Sequence, residues 1–460
     1  MSISPARKIA FDVLRRVESR TAYASDLLYA RLTEDVRRED AALAIELTLG
    51  VLRRRRLLDF LLEQRLQKPL MSLDLEVLVA LRLGLYQLHF LARIPARAAV
   101  NESVELVKRA RKHSAAPLVN AILRRASTQG SQALDEIVPS NLRLAERLGI
   151  LQSHPTWLVE RWLGRYGEAR TSALLEANNH APNLAGTVHD PARRADAIRS
   201  LEEAGLRVEP GKLLRSAFTA QSGNAARTKA FRSGWISIQD EASQAIPLLL
   251  GVKPGQSVLD LCAAPGGKTA TLALAAGDQA LVVACDRYGH RLRALRAQLK
   301  RLRVEHARTL ALDATSRLPF LAQFDRILVD APCSGTGTLS RNPEIRWRLR
   351  PEDLEEFHER QVVILSHALR NLAPGGRLVY STCSLEAEEN EQVIERVLDE
   401  NRQLRAIPSK EAAGILAPHL ARGVEAAKLF DAKGFFRTFP PEHNTDGFFA
   451  AILEAANSGR

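Results

Sequence analysis

Two cysteines fifty residues apart carry the chemistry of this 460-residue chain. One lies in Asp330-Ala331-Pro332-Cys333-Ser334-Gly335-Thr336-Gly337, the other in Tyr380-Ser381-Thr382-Cys383-Ser384, and each follows a short apolar run. Upstream, a third apolar run closes on a glycine turn, Asp260-Leu261-Cys262-Ala263-Ala264-Pro265-Gly266-Gly267-Lys268. A free cysteine at a strand end is usually a packing residue, and that reading suits Cys262 and Cys285. Cys333 and Cys383 differ: small polar residues follow each, so backbone and ligand could approach closely. The combination points to a thiolate presented to an electrophile beside a nucleotide-like cofactor.

The cofactor reading rests on register. In an open parallel sheet, ligands sit beyond the carboxyl ends of the strands. Pro265-Gly266-Gly267 would follow the first strand and open a helix, where the missing side chains let backbone approach a ligand. Asp286 would end the second strand about 20 residues on, where a carboxylate commonly takes ribose hydroxyls. Asp313 and Asp330 would end the third and fourth. One aspartate alone could be a helix cap; several along one sheet edge form a pocket. The turn lacks GxGxxG spacing, which disfavours a dinucleotide. S-adenosylmethionine, with adenosine but no pyrophosphate, needs no phosphate cradle.

Two thiols beside a methyl donor suggest covalent catalysis on a pyrimidine. Carbon 5 of the ring is a poor nucleophile. Thiolate addition at carbon 6 makes an enamine-like species whose carbon 5 can attack the sulfonium methyl; loss of the carbon 5 proton and expulsion of the thiol restore the ring. The attacking thiol must be partly ionised. A carboxyl such as Asp330 on ring nitrogen 3 would steady the adduct, and a second thiol could assist release. The residues alone leave open which cysteine attacks.

The elements that must hold these groups are legible as patterns. After residue 240, apolar runs alternate with amphipathic stretches. Ser257–Leu261, Ala280–Cys285, Thr309–Leu312, Arg326–Val329 and Arg377–Ser381 read as buried strands, with helices over His290–Leu302 and Pro351–Asn371 and a late strand over Phe448–Leu453. Such alternation predicts a parallel α/β sheet with helices on both faces. The first 130 residues read as helices throughout: a stripe of Ile9, Val13 and Val17, a long helix from Ala41 to Leu66, another from Leu75 to Leu91, then 98–112 and 116–126. Between them, 128–150 looks like a connector. A small α+β module follows, with helices over 156–178 and 195–205 and extended pieces at 184–188 and 234–238.

Charge indicates the partner. The chain holds 65 Lys and Arg against 53 Asp and Glu, a net +12. Residues 1–130 carry 23 of the former and 14 of the latter, so most of the excess sits there. Phosphate is the natural counterpart of such a surface. The four arginines Arg53–Arg56 cannot share one helix face, since a helix turns roughly 100° per residue; they could equally be a solvated face. The four cysteines form no CxxC pair or Cys/His cluster of zinc spacing, which predicts reduced thiols, a cytosolic protein and no metal. No apolar run approaches the ~18 residues of a membrane span.

The motifs CAAPGGK, DAPCSGTG and STCS, in this order, resemble the NOL1/NOP2/Sun family of RNA cytosine-5 methyltransferases. Gly234–Ser243 (GWISIQDEAS), Arg341–Trp347 (RNPEIRW) and Thr445–Phe449 (TDGFF) match as well. The N-terminal helices, with Val119–Arg124 (VNAILR), resemble the antitermination factor NusB. The resemblance covers nearly the whole chain. It implies a multidomain protein: an all-α NusB-like RNA-binding domain over 1–130, a linker and small α+β RNA-binding module over 131–239, and a Rossmann-like α/β methyltransferase domain over 240–460. It implies that Cys383 is the nucleophile and that Cys333 helps break the covalent intermediate. It places S-adenosylmethionine against Cys262, Ala263, Ala264, Pro265, Gly266, Gly267, Lys268, Asp286, Asp313 and Asp330; Lys268 could instead meet RNA or fill the first helical turn. One departure stands out. The family's middle module carries an Arg-Val-Asn-like strand where this chain has Leu184-Ala185-Gly186-Thr187-Val188-His189 after Pro182.

The expectation is therefore 5-methylcytidine formation in 16S rRNA, naked or in a partly assembled small subunit. The same chemistry on tRNA or another rRNA site is one alternative. A non-catalytic RNA-binding or antitermination factor is another, disfavoured by the paired cysteines and the strand-end aspartates. A nicotinamide-dependent oxidoreductase is the remotest.

Overall fold

The computed structural model describes residues 3–19, 22–32, 35–128, 137–221 and 223–455. It divides into two compact units, Met1–Ala181 with Leu339–Leu349, and Pro182–Thr338 with Arg350–Arg460. The start of the expected connector, 129–136, lies outside the described residues.

The first unit is helical. Pro5–Glu18 begins on a proline, whose fixed φ suits a first helical turn, and buries Ala6, Ala10, Val13, Leu14 and Val17 along one stripe. Leu75–Phe90 is buried nearly all round and forms the axis against which Ala96–Arg109 and Ala116–Thr128 pack. The long helix expected over 41–66 is instead two, Arg38–Arg53 and Arg55–Glu63, broken at Arg54 with φ −106° and ψ 12°. At the break the four arginines leave in different directions. Arg53 donates to Ser340 O, Arg54 lies over Phe90, Arg55 pairs with Glu18 at 3.3 Å, and Arg56 donates to His154 O and Thr156 Oγ1. None of the four is exposed, so the run is neither a solvated face nor a free cationic one. It staples this unit together.

The segment Leu339–Leu349 lies late in sequence yet packs within the helical unit. Arg346 is fully buried there. Its guanidinium donates to Ser153 O at 3.1 Å, Asn178 O at 3.0 Å, Asn179 Oδ1 at 3.0 Å and Leu339 O at 3.3 Å. Trp347 Nε1 donates to Leu52 O at 2.8 Å, and Glu344 accepts from Ala24 N at 2.7 Å.

The second unit holds two sheets. The smaller contains β1 (Leu184–Val188), β2 (Arg207–Pro210), β3 (Ala217–Gln221) and β4 (Ile236–Ile238) in the antiparallel order β2-β3-β1-β4. The helix Arg194–Glu203 covers it through Ala197 and Leu201, against Val188, Phe218 and Ile236. The segment that departs from the family pattern is thus an inner strand.

The larger sheet contains β5 (Val258–Leu261), β6 (Val282–Asp286), β7 (Ala307–Ala311), β8 (Phe324–Asp330), β9 (Leu372–Thr382), β10 (Leu404–Ala406), β11 (Phe436–Arg437) and β12 (Phe449–Ala455). Its order is β10-β12-β9-β8-β5-β6-β7, with β11 paired to β12. Strands β5 to β9 run parallel, and β12 returns antiparallel to β9. Successive side chains alternate between faces. Val258, Leu328, Ala450 and Ile452 pack on one side with the helices Glu241–Leu248, Gly267–Ala276 and Gly289–Arg301. Leu259, Ile327, Val329, Phe449 and Leu453 pack on the other with Asp353–Leu369 and Glu391–Glu400. Both layers are apolar, so every functional polar group is driven to the strand ends.

Candidate active site

The glycine turn begins where β5 stops. Cys262 takes φ +62° and Ala263 N donates to Cys285 O at 2.8 Å, tying the turn to the end of β6. Gly266 has φ +106°, a conformation that side chains rarely adopt, and Gly267 opens the helix. Beneath the turn, Asp260 is fully buried; its Oδ2 accepts from Thr269 Oγ1 at 2.6 Å, and its Oδ1 has no partner among the described residues. Burial raises this carboxyl to about 7.

A cleft opens beside the turn. Cys262, Asp286, Tyr288, Leu312, Asp313 and Pro332 line it. Asp286 ends β6, accepts from Tyr288 N at 3.1 Å and Ala264 N at 3.3 Å, and pairs with Arg291 at 3.2 Å. Arg291 also donates to Ala264 O at 2.9 Å. Asp313 accepts from the hydroxyl and N–H of Thr315 and pairs with Arg287 at 3.2 Å; the Thr315 hydroxyl holds its carboxyl below the usual range. Lys268 lies over the Phe448 ring, its Nζ 2.8 Å from Asp330 Oδ2. Asp330 Oδ1 accepts from Ser381 Oγ at 2.8 Å across the β8–β9 register.

The loops after β8 and β9 bring the two cysteines together. Cys333 Sγ lies 3.4 Å from Cys383 Sγ, and both are half-buried. The hydrogen bond between the two sulfurs and burial push the Cys333 thiol well up. Burial also raises Cys262, and Cys285 to about 12, as packing thiols. Gly337 N donates to Cys383 O at 2.9 Å, and a Cβ at Gly337 would lie 2.0 Å from Gly447 O. Only glycine fits that crossing.

The sequence reading thus finds its residues grouped in two adjoining places: Cys262–Gly267, Asp286 and Asp313 around the cleft, and Lys268, Asp330, Cys333 and Cys383 at the ends of β8 and β9. It missed Arg291, Tyr288 and Glu389. Asp286 beside a helix rich in arginine was a usable signal for Arg291. Glu389, in Glu388-Glu389-Asn390-Glu391, is one of several acids in a polar stretch and carries no local mark of burial.

Comparison with known proteins fits this geometry. Residues 247–454 match the model described as 16S rRNA methyltransferase RsmB/F, 4–128 the NusB family, and 154–225 a ferredoxin-like domain of RsmF/B-like methyltransferases. The Bacillus subtilis protein named "Probable ribosomal RNA small subunit methyltransferase B" is 33% identical over 98% of this chain and 99% of its own. The Pseudomonas putida ribosomal RNA small subunit methyltransferase B is 35% identical over 90% and 93%. The chain belongs to the RsmB/F family of methyltransferases. The crystal structure of PH0851 superposes with a TM-score of 0.80 at 25% identity, covering 99% of each chain. Among the described residues, no group of side chains could hold a metal ion and no helix is long and apolar enough to cross a membrane.

Proposed function

We propose that this protein methylates carbon 5 of a cytidine in small-subunit rRNA through a covalent Cys383 adduct. The observation that carries the reading is the pair of thiols 3.4 Å apart at one strand edge, with Asp330 at the end of the adjoining β8.

S-adenosylmethionine would supply an electrophilic sulfonium methyl. The chain's residues fit it: Cys262 of the turn borders the cleft, Asp286 and Asp313 offer carboxylate acceptors, and Leu312, Pro332 and Ile364 form apolar walls. Cys383 Sγ, as thiolate, bonds to ring carbon 6, and the electron pair displaced reaches carbon 5, which takes the methyl. Asp330, held by Lys268 and Ser381, donates a hydrogen bond or proton to ring nitrogen 3, which bears no proton in neutral cytosine and gains electron density as the sulfur adds. Removal of the carbon 5 proton by a base then breaks the carbon–sulfur bond and returns Cys383 as thiolate. Cys333, at hydrogen-bond reach, donates to that departing sulfur. The division of labour between the cysteines follows the family resemblance.

RNA is the partner the charge favours. After Arg53–Arg56 are assigned to internal contacts, Arg93, Arg97, Arg111, Arg124 and Arg125 remain exposed on the helical unit as phosphate ligands. The target base leaves its stack to reach the sulfur. Bisulfite mapping of 16S rRNA from cells with and without the gene tests the assignment. One 5-methylcytidine should vanish on deletion and return with the wild-type gene but not with Cys383→Ala; an unchanged map refutes it.

A further inference from the structure

One buried carboxylate ties together the loops that carry the two thiols. Glu389 is 0% exposed. Its Oε1 accepts from Ser334 N at 2.7 Å and from Gln361 Nε2 at 3.1 Å, and its Oε2 accepts from both Ser334 Oγ and Ser384 Oγ. Ser334 follows Cys333 and Ser384 follows Cys383, so a single side chain grips the residue after each sulfur. Gln361 also donates to Pro332 O at 2.9 Å, which fixes Cys333 from the other side. The backbone of Glu389 is itself anchored, its carbonyl accepting from Tyr380 Oη at 2.7 Å.

We propose that Glu389 is a positioning residue that clamps the Pro-Cys and Thr-Cys loops and thereby sets the separation of the two sulfurs. Four donors converge on it, and among the described residues no lysine or arginine pairs with it. A buried carboxylate without a cation is expensive unless hydrogen bonds replace water, and here every one of them comes from a thiol loop or from the glutamine braced against one. Burial pushes the Glu389 carboxyl up against the pull of those bonds. Its charge also pushes the Cys333 thiol up, behind the Cys383 hydrogen bond and burial. The catalytic consequence rests on the proposed cytosine chemistry: bond formation by one sulfur and release aided by the other need the two sulfurs at a fixed distance from each other.

The geometry can be read without substrate. Diamide accepts two electrons and two protons from neighbouring thiols, joining Cys333 and Cys383 as a disulfide, and the rate reports how often the sulfurs meet. In the full-length protein, closure is followed by the 2 Da mass loss of the linked peptides. Glu389→Ala should slow closure at least about tenfold, since misplacement near 1 Å carries penalties of that order or larger. Glu389→Gln, which keeps an acceptor for Ser334 N and can donate to both hydroxyls, should restore the rate to within about threefold of wild type. Ser334→Ala/Ser384→Ala should slow it like Glu389→Ala, and serves if the alanine variant at 389 does not fold. Wild-type closure rates in the serine double variant or in folded Glu389→Ala overturn the proposal. So does a Glu389→Gln rate as slow as alanine's. The assay contains neither RNA nor methyl donor, so unchanged rates would sink the clamp and leave the cytosine chemistry standing. An unchanged methylcytidine map would do the reverse.

Discussion

Asp260 makes the stability of the protein depend on pH in a calculable way. It sits mid-sheet under the glycine turn, fully buried, with one oxygen bonded to Thr269 and the other unpartnered. Burial raises its pKa from 3.8 to about 7. The folded state therefore holds this proton more tightly than the unfolded chain. The stabilisation is fully present below the unfolded value and is lost as pH rises through the folded one. At 1.36 kcal/mol per pH unit, the whole interval is worth about 4 kcal/mol, and the part between pH 5 and pH 8 about 3 kcal/mol. Asp260→Asn keeps an acceptor for Thr269 and titrates nowhere in that range. Urea unfolding of both proteins at pH 5, 6, 7 and 8 should show the variant gaining on wild type by about 3 kcal/mol across the series. A constant difference at all four values would refute the reasoning.

Gly337→Ala would place a Cβ 2.0 Å from Gly447 O and 2.9 Å from Cys383 O, so both thiol loops must shift. Turnover should fall about a hundredfold, while calorimetric binding of S-adenosylmethionine stays near wild type; unchanged turnover would contradict the tight crossing. Arg346→Ala strands the four oxygens that its guanidinium serves. It should destabilise the helical unit by about 3 kcal/mol or more, read as a lower urea midpoint for the helical signal, and a loss below about 1 kcal/mol would show the site dispensable.

The sequence carried the catalytic sheet because its signal is local. Apolar runs such as Val258–Leu261 and Val282–Cys285 end in residues that cannot stay between two apolar layers, so strand ends and pocket were marked together. The helical stripe through Val13 and Val17 was legible for the same reason, though Ile9 at its start is only half-buried. What stayed hidden depends on partners far away in the chain. The helix breaks at Arg54, inside a run whose neighbours reach Ser340 and His154, contacts that no periodicity encodes. Leu339–Leu349 reads like any loop of the catalytic half, and the contacts of Glu344, Arg346 and Trp347 that tie it to the helical unit leave no local mark. The strands β10 and β11 span three and two residues, too short for alternation to register. Glu389 is the sharpest case: its four donors lie 5 to 55 residues off, and a glutamate among glutamates gives no warning of burial.

The account stands on carbon–sulfur bond formation at Cys383, and trapping that bond tests it most directly. Cys333→Ala incubated with 16S rRNA and S-adenosylmethionine should accumulate an RNA-linked protein band on a denaturing gel, and adding Cys383→Ala to that variant should abolish it. A band that survives loss of Cys383, or normal turnover by Cys333→Ala with no band, would contradict the mechanism.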